Sequence, residues 1–474
     1  MFFHNLGRAL AIASALLLSA CKTFSPDGGM STVAAVAGGG LDKSVVRINS
    51  AEDASLARSE VARLLHGPLG ADAAVQIALL NNAGLQAAYN RLGVAEAVMV
   101  QMSRPPLPSF SYDWVKTSIE LDIERQIVAS LLSLATWPAR SKLAGVRFEQ
   151  AELIAAEETL RLAVETRRAY ISAVAARQIL TALVAAKDSA EASAELADKL
   201  LQTGAVNKLD HARRQVFATE MAAQVTAARQ QAAAAQERLT RLMGLWGTDL
   251  AGLLPNTLPK LPRNSRSLAA VEQEAMDRRV DLAVARLEVE ALARSFGLTR
   301  KTRFVNVLDA AGISKTQKDK GEPKADGGGF NIAFEVPLYD FGRARVREAE
   351  QRYLEAVNVL AEKAVNARSE ARQAFGAYKA TYTVAAQYEG EVLPLRETIS
   401  AETELQFNAM QVDAFALLEA ARAKAQAKVA SIEAKRNFWL ASTDLSAAVL
   451  GGGDLSQEGG AIIAADARGS SPGH

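Results

Sequence analysis

The sequence predicts a mainly α-helical protein with a smaller β part, built from long helical hairpins in two tandem copies. Long stretches lack both Gly and Pro, and within them apolar residues recur at spacings of three and four. Short segments with two-residue alternation separate the long helices. The chain has 474 residues, of which 49% are hydrophobic and only 6% aromatic, a composition typical of long Ala-rich helices.

The longest helices are predicted where Gly and Pro are missing, over residues 146–203, 205–243 and 395–450. At 1.5 Å per residue, the first stretch would reach roughly 85 Å as a single helix. Its apolar positions, such as Leu153 and Leu160, share one face, whereas Glu, Arg and Gln follow the other. Amphipathic helices of this length need lateral partners, in a bundle or a coiled coil.

The chain also repeats its own pattern. Ala78, Leu79 and Leu85 recur at the same spacing as Ala275, Met276 and Leu282. Internal duplication decides how the rest of the sequence is divided. We predict a signal peptide over residues 1–20, a lipidated flexible tether over 21–71, a first repeat over 72–250, a surface linker over 251–267, a second repeat over 268–451 and a disordered tail over 452–474.

One β segment is predicted in each repeat. Apolar and polar residues alternate strictly from Val115 to Glu124, and again from Phe330 to Val336. Each alternation predicts a strand with one apolar and one polar face, either in a transmembrane barrel or in a small soluble sheet that caps the bundle. Residues 315–329 are expected to form an exposed loop, and residues 126–134 fit a strand or a helix. The predicted lipid-facing residues are Ile119, Leu121, Ile123, Phe330, Ile332 and Phe334.

The amino terminus indicates an exported lipoprotein. The apolar run 9–18 is too short to span a bilayer and is typical of a signal peptide. It ends in Leu-Ser-Ala-Cys, which resembles a bacterial lipobox and would make Cys21 the acylated first residue, with palmitate among its acyl chains. The alternative is an ordinary signal peptide with a chance cysteine. By resemblance to bacterial sorting signals, Lys22 favours the outer membrane over the inner membrane.

The composition offers little for catalysis or metal binding. Four His and one Cys are too few for the usual zinc and iron–sulfur sites, and neither His66 nor His211 has a catalytic partner at a recognisable spacing. The net charge of +1 shows no basic excess for nucleic acid. We therefore expect no enzymatic activity, no cofactor, no bound metal and no nucleic-acid partner.

Several motifs together resemble the TolC-like outer-membrane efflux protein family, in its lipoprotein branch. No single motif is decisive, but their order and spacing are specific, and the resemblance runs from about residue 72 to 451. The motifs are Ala78-Leu79-Leu80-Asn81-Asn82, Gly204-Ala205-Val206-Asn207-Lys208-Leu209-Asp210, Leu239-Thr240-Arg241-Leu242-Met243-Gly244-Leu245, Arg279-Val280-Asp281-Leu282 and Pro337-Leu338-Tyr339-Asp340-Phe341-Gly342-Arg343.

The resemblance implies a homotrimer in which three protomers share a twelve-stranded β-barrel in the outer membrane and an α-barrel tunnel in the periplasm. The implied function is a passive exit duct for efflux or secretion, with a periplasmic adaptor protein and an inner-membrane transporter as partners. The alternative is a lipid-anchored periplasmic helical scaffold without a pore. The sequence does not indicate whether the cargo is a drug, a metal or a protein, because function belongs to sites and not to folds.

The resemblance also assigns residues at the turns between the long helices. It implies adaptor docking by Gly204, Ala205, Val206 and Leu209 in the first tip, and by Met410 and Val412 in the second. Glu419 falls where the family often has an acidic residue at the aperture; the alternative is a solvated helix residue paired with Arg422. The family usually has Gly in place of Met410, so the second turn is expected to differ.

Overall fold

The computed structural model describes residues 23–246, 250, 252–262 and 268–451. The signal peptide, Cys21 and the tail 452–474 lie outside the described residues. The helices are α1 (Met30–Leu41, with a π-helical stretch at Ala34–Gly38), α2 (Ala51–Leu64), α3 (Ala71–Asn81), α4 (Ala83–Met102), α5 (Leu131–Gln202), α6 (Lys208–Leu242), α7 (Leu268–Arg278), α8 (Val280–Lys301), α9 (Arg343–Gln387), α10 (Leu393–Asn408) and α11 (Ala414–Leu450). The strands are β1 (Ser109–Lys116), β2 (Glu120–Ser130), β3 (Val307–Asp319) and β4 (Ala325–Glu335).

From α3 onwards the order of the elements is the same in both halves: two helices, two strands, a long helical stretch, a turn and a final helix. In the second half the long stretch consists of α9 and α10, which are joined by the π-helical residues Tyr388–Val392. The chain nevertheless forms two compact units that each take segments from both halves. Unit 1 comprises 89–155 and 281–363 with residues 23–33, and unit 2 comprises 34–88, 156–280 and 364–451. The sheet belongs to unit 1 and the turns between the long helices belong to unit 2. The sequence repeats are therefore not the packing units.

The prediction of a flexible tether over residues 21–71 is wrong for the residues that the structure describes. Helix α2 begins at a capping box, in which Ser50 Oγ accepts from the backbone of Asp53 and the Asp53 carboxylate accepts from the backbone of Ser50. Val33 and Leu69 are buried, and Leu69 N donates to the carbonyl of Leu253 at 2.8 Å. Small residues pack here without a recognisable apolar period, so the sequence pattern does not predict this packed structure.

The predicted surface linker is also packed. Residues 252–262 contain no helix or strand, but Leu254 and Leu258 are buried. The Leu258 amide donates to Gln178 Oε1 at 3.0 Å, and Trp439 Nε1 donates to the carbonyl of Pro259 at 3.2 Å. Its three prolines interrupt regular backbone hydrogen bonding but do not prevent the burial of Leu254 and Leu258 beside them.

Side chains at the start of each repeat bind the end of the same repeat. Asn82 Nδ2 donates to the Leu242 carbonyl at 2.9 Å, and Asn81 Nδ2 donates to the Gly244 carbonyl at 2.7 Å. In the second repeat, Arg279 Nη1 lies 2.6 Å from a carboxylate oxygen of Glu370 and also contacts the carbonyl of Ala448. These contacts satisfy carbonyl groups that a helix end leaves without an intrahelical partner.

The four strands form one antiparallel sheet in the order β1-β2-β3-β4. The prediction of a single strand from Val115 to Glu124 is wrong, because the chain reverses at residues 117–119. Thr117 N donates to the Glu120 carbonyl at 2.8 Å, and Glu120 N donates to Thr117 Oγ1 at 3.0 Å, which closes the turn. The alternation continues through the turn, so the pattern did not reveal the reversal.

The predicted exposed loop over residues 315–329 is likewise wrong for most of its length. Strand β3 continues to Asp319 and β4 begins at Ala325, which leaves only residues 320–324 as the connection. The lysines and glycines of this segment pair through their backbones, which does not depend on side-chain polarity. The segment that fitted strand or helix divides at Ser130, where β2 ends and α5 begins.

Helix α5 begins at Leu131 and continues through Pro138. Proline inside a helix removes one backbone hydrogen bond. Side chains supply other partners to this turn: Arg140 Nη2 donates to the Ser133 carbonyl and Thr136 Oγ1 to the Leu132 carbonyl, each at 2.8 Å. By length and composition alone, α5 is the one described helix apolar enough to cross a membrane, and 44% of its most apolar window is buried within the protein.

Candidate functional surfaces: the sheet and the hairpin tips

The register of the sheet separates an apolar face from a polar face. Trp114 lies opposite Ile123, and Ile123 lies opposite Thr316, so these three residues share one face. The strand residues on this apolar face are Phe110, Tyr112, Trp114, Lys116, Leu121, Ile123, Arg125, Ile127, Ala129, Leu308, Ala310, Gly312, Ser314, Thr316, Lys318, Asp326, Gly328, Phe330, Ile332 and Phe334.

Five of the six residues predicted to face lipid lie on the apolar face. The exception is Ile119, which lies in the β1–β2 turn and precedes β2. Phe330 is 85% exposed and Phe334 is 71% exposed. Aromatic side chains with this much exposure indicate a surface that another apolar phase or chain covers.

The opposite face is polar and carries Asn331 together with mostly acidic residues. Its charged strand residues are seven acids and one lysine: Asp113, Glu120, Asp122, Glu124, Asp309, Asp319, Glu335 and Lys315. Lys315 Nζ lies 2.8 Å from a carboxylate oxygen of Asp122, and Gln317 Nε2 donates to Glu120 Oε1 at 2.9 Å. Asn306 Nδ2 donates to Glu335 Oε1 at 2.8 Å. A face with this excess of carboxylates suits contact with water.

A short turn joins β4 to α9 at Asp340-Phe341-Gly342. The Asp340 carboxylate accepts from the amides of Ala344 and Gly342, and these hydrogen bonds lower the pKa of Asp340 below its ordinary value. Gly342 has a φ of 71°, and a Cβ there would lie far inside van der Waals contact with the carbonyl of Arg303. The motif is thus required by backbone geometry, not by a ligand.

The first hairpin tip is the turn between α5 and α6. Gly204 N donates to the Leu201 carbonyl at 3.1 Å and Ala205 N donates to the Leu200 carbonyl at 2.9 Å, which is a Schellman motif with Gly204 at a φ of 76°. Asn207 then caps α6 by accepting from the amide of Asp210 at 2.8 Å. The motif Gly204–Asp210 therefore encodes the shape of a turn. The tip itself leaves Leu209 60% exposed.

The second tip, between α10 and α11, has the same conformation, so the expectation of a different turn is wrong. Met410 N donates to the Phe407 carbonyl at 3.0 Å and Gln411 N donates to the Gln406 carbonyl at 2.9 Å. Met410 adopts a φ of 56°, the left-handed conformation that glycine takes in the first tip. The hydrogen bonds of the turn outweigh a local strain of about 1 kcal/mol. The Met410 side chain is 94% exposed.

The two hairpins are linked near their tips by contacts that sequence reasoning missed. The guanidinium of Arg213 on α6 lies 4.6 Å from the ring centre of Phe415 on α11, and that of Arg422 on α11 lies 5.5 Å from the ring centre of Phe217 on α6. Arg422 also forms an ion pair with Glu220. The one sequence feature that indicates these contacts is the presence of phenylalanines near both tips in a chain with only 6% aromatic residues.

Glu419 lies beside this link. Its carboxylate is 3.7 Å from Arg422, at i+3 on the same helix, and its side chain is about half exposed. The ion pair between Glu419 and Arg422 that the alternative interpretation requires is therefore present. Its N–O distance is longer than that between Arg422 and Glu220. An exposed pair of this kind contributes little stability and leaves the carboxylate accessible to ions.

The first hairpin is also stabilised by His211, whose Nε2 is hydrogen-bonded to the carboxylate of Asp198. Asp198 accepts a second hydrogen bond from Gln215 Nε2 at 3.1 Å. The hydrogen bond from His211 lowers the pKa of Asp198 below its ordinary value. Within the part of the chain that the structure describes, no group of three or more His, Cys, Asp or Glu side chains is placed to hold a metal ion.

No family model matches the sequence, and no characterised relative matches it. Solved structures do match. The Campylobacter jejuni CmeC outer membrane channel superimposes with a TM-score of 0.69 at 19% identity, over 84% of this chain and 89% of that one.

Two further outer-membrane channel structures superimpose on the chain to a similar extent. The outer-membrane channel OprN gives a TM-score of 0.68 at 18% identity, over 84% of this chain and 92% of its own. The open state of the Neisseria gonorrhoeae MtrE outer membrane channel gives 0.65 at 14% identity, over 80% and 88%. At these identities the likeness concerns the fold: the chain has the fold of outer-membrane channels, as its resemblance to the TolC-like family predicts.

Proposed function

We propose that this protein is the passive outer-membrane exit duct of a tripartite efflux or secretion system. The observation that carries the proposal is the sheet: it has one exposed apolar face, one acidic polar face and two edge strands, in a chain with the fold of outer-membrane channels. Lipid covers the apolar face and water fills the space next to the polar face.

The edges of the sheet support a shared barrel. Within the described part of the chain, β1 and β4 pair on one side only. A sheet with open edges is not tolerated in lipid, because each unpaired backbone group costs several kcal/mol there. Three copies of a four-stranded sheet would close into a twelve-stranded barrel, so we propose a homotrimer in which the edge strands of neighbouring protomers pair.

The helical hairpins form the periplasmic tunnel, and their tips dock the adaptor. Two matching turns present the exposed side chains of Leu209 and Met410. Such protruding apolar groups suit helix-to-helix docking. The adaptor then connects the duct to an inner-membrane transporter, which supplies the energy for export.

The membrane anchor is the lipid on Cys21. One acyl chain holds a protein only weakly, whereas acyl chains combined with a barrel hold it firmly. Acylation would place the chain in the outer membrane from its amino terminus, with the helices extending into the periplasm.

The experiment that tests the duct is single-channel recording. The full-length protein, extracted in detergent from the outer membrane, is expected to run as a heat-resistant trimer and to conduct ions in a planar bilayer. A purely monomeric lipoprotein that never conducts would favour the alternative, a periplasmic scaffold whose sheet only caps the helices.

Ile332→Arg is expected to prevent barrel assembly. Ile332 lies on the apolar face between Phe330 and Phe334, and an arginine facing the middle of the bilayer costs about 2–4 kcal/mol. The measurement is the yield of heat-resistant trimer. Asn331→Arg is the matched control, because it puts the same side chain one residue away on the polar face and should leave the yield close to wild type.

Spin labels distinguish the faces independently of assembly yield. A label at Ile332 should report lipid and a label at Asn331 should report water. Water at both positions would mean that the sheet is a soluble cap.

Glu419→Ala is expected to reduce cation selectivity. Three copies of Glu419 would form a ring of like charges at the tunnel aperture, and such a ring attracts cations. The measurement is the reversal potential of reconstituted trimers in a salt gradient, together with block by multivalent cations. Glu220→Ala serves as the control, because it removes the other ion-pair partner of Arg422 without removing the proposed ring. Unchanged selectivity and block in Glu419→Ala would exclude Glu419 from the aperture.

A further inference from the structure

We propose that the loop end of the apolar face binds the phosphate groups of anionic lipid in the outer leaflet of the membrane. The inference rests on the proposed function, which places this face against lipid. It assigns a specific lipid headgroup to a surface for which the proposed function requires only contact with lipid chains.

The cationic residues of the apolar face gather at one end of the sheet. Lys116 on β1 and Lys318 on β3 both lie in register with Leu121 on β2, so the two lysines flank one leucine. Arg125 lies four residues further along β2, in register with Tyr112. The three cations occupy about 13 Å of strand next to the turns 117–119 and 320–324.

These cations are unpaired, in contrast with those on the polar face. Lys315 on the polar face is paired with Asp122. Within the part of the chain that the structure describes, Lys116, Lys318 and Arg125 have no carboxylate at ion-pair distance. The guanidinium of Arg125 instead lies 5.7 Å from the ring centre of Tyr112.

The one acidic strand residue on this face, Asp326, neutralises them only in part, although its charge also acts on Arg125. Asp326 accepts a hydrogen bond from Thr316 Oγ1 at 2.7 Å and lies 3.3 Å from Lys324 Nζ, so a lysine of the adjacent connection compensates it. The loop end of the apolar face therefore keeps a net positive charge.

Membrane physics sets the depth of these residues. An unpaired charge facing hydrocarbon is costly, so Lys116, Lys318 and Arg125 must lie at the level of the headgroups. Tyr112 and Trp114, on the same face, are of the amphipathic type that favours this level. The remaining rows, from Phe330 to Phe334, carry no charge on this face and suit the hydrocarbon interior.

The sidedness follows from the connections. Both turns lie at the end of the sheet opposite the helices, and the helices extend into the periplasm in the proposed duct. The cationic end therefore meets the outer leaflet, in which lipid A carries phosphate groups. A guanidinium and two ammonium groups are the donors that bind phosphate oxygens.

The test compares two lipids that differ only in phosphate. Full-length trimer in neutral detergent is titrated with bis-phosphorylated lipid A and with chemically dephosphorylated lipid A, and bound lipid is counted by native mass spectrometry. The wild type is expected to bind the phosphorylated lipid at least tenfold more tightly. The triple variant Lys116→Gln, Lys318→Gln, Arg125→Gln is expected to lose this preference.

The matched control is Arg300→Gln, Lys301→Gln, Lys315→Gln, which removes the same charge from the end of α8 and from the polar face and should keep the preference. If the triple variant fails to assemble, the single variant Lys318→Glu, at an exposed position, should still weaken the preference.

Equal binding of the two lipids by the wild type, or an equal loss of preference in the control variant, would overturn the inference. Full displacement of the lipid by millimolar inorganic phosphate would also overturn the inference, because the site would then bind free phosphate ions and not specifically a lipid. Conductance in a bilayer of neutral phosphatidylcholine tests the proposed duct separately, since it needs no anionic lipid.

Discussion

Gly342→Ala is expected to abolish the trimer at the growth temperature. The new Cβ would meet the backbone carbonyl of Arg303, and a positive φ adds strain for any L side chain. Strain and overpacking together should cost about 3 kcal/mol or more. Because Gly342 joins β4 to α9, the displaced backbone would move both elements. The measurement is the yield and the thermal midpoint of heat-resistant trimer.

Gly204→Ala is the control for this variant. Gly204 has nearly the same φ, 76° against 71°, but a Cβ there would meet no atom within 4 Å. It should therefore cost only the strain, about 1 kcal/mol, and leave the trimer intact. Met410 already adopts the same conformation with a full side chain. Equal loss in the two variants would show that φ, and not contact with Arg303, makes glycine necessary at 342.

Charged replacement of the first tip should abolish export while the channel still assembles. Gly204→Arg and Val206→Glu place bulky charges on the turn between α5 and α6, where the proposed adaptor must pack an apolar surface. Burying an unpaired charge in such an interface costs several kcal/mol. The expected result is at least a tenfold lower recovery of the periplasmic adaptor with the purified trimer, together with loss of export in cells.

Two controls separate docking from folding. Trimer yield should stay close to wild type, because Gly204 is exposed and Val206 only half-buried. Gly204→Ala should retain adaptor recovery, since it adds the same backbone strain without a charge. Adaptor recovery equal to wild type in both charged variants would remove the tip from the docking surface.

The arrangement of the helices was predictable because helix formation is local. The first two Gly- and Pro-free stretches became α5 and α6, separated at Gly204, whereas the third, residues 395–450, is divided into α10 and α11 by a turn that no glycine or proline marks. The start of α5 was not predictable in this way. Pro138 is a helix breaker by itself, but Trp137 Nε1 donates to the Ser103 carbonyl at 3.0 Å and fixes this turn to the end of α4, a contact that exists only in the folded structure.

The sheet shows where periodicity stops being informative. Leu121, Ile123 and the phenylalanines of β4 share a face, as the alternation predicts. Val115 lies on the opposite face from Ile123, because the chain reverses between them and the alternation runs on through the turn. A two-residue period reports the orientation of side chains along a strand, but it carries no information on which strand is the partner.

The hairpin tips show a different limit. Met410 gave no sign of a Schellman turn, because that conformation normally selects glycine. The links from Arg213 to Phe415 and from Arg422 to Phe217 join residues about two hundred positions apart, and nothing in one sequence couples them. The family motifs around Asn82 and Gly244, in contrast, proved to be contacts that close the ends of a repeat.

The unpaired edges of the sheet have a consequence for the biogenesis of the channel. Since β1 and β4 each pair on one side only within the described chain, a single protomer has no stable way to sit in lipid. In the proposed duct, insertion and oligomerisation would then be one event, and its rate would rise steeply with the number of protomers in the periplasm. A newly exported chain would wait with Phe330 and Phe334 exposed, which would make it a client for a holding chaperone until two sister chains arrive.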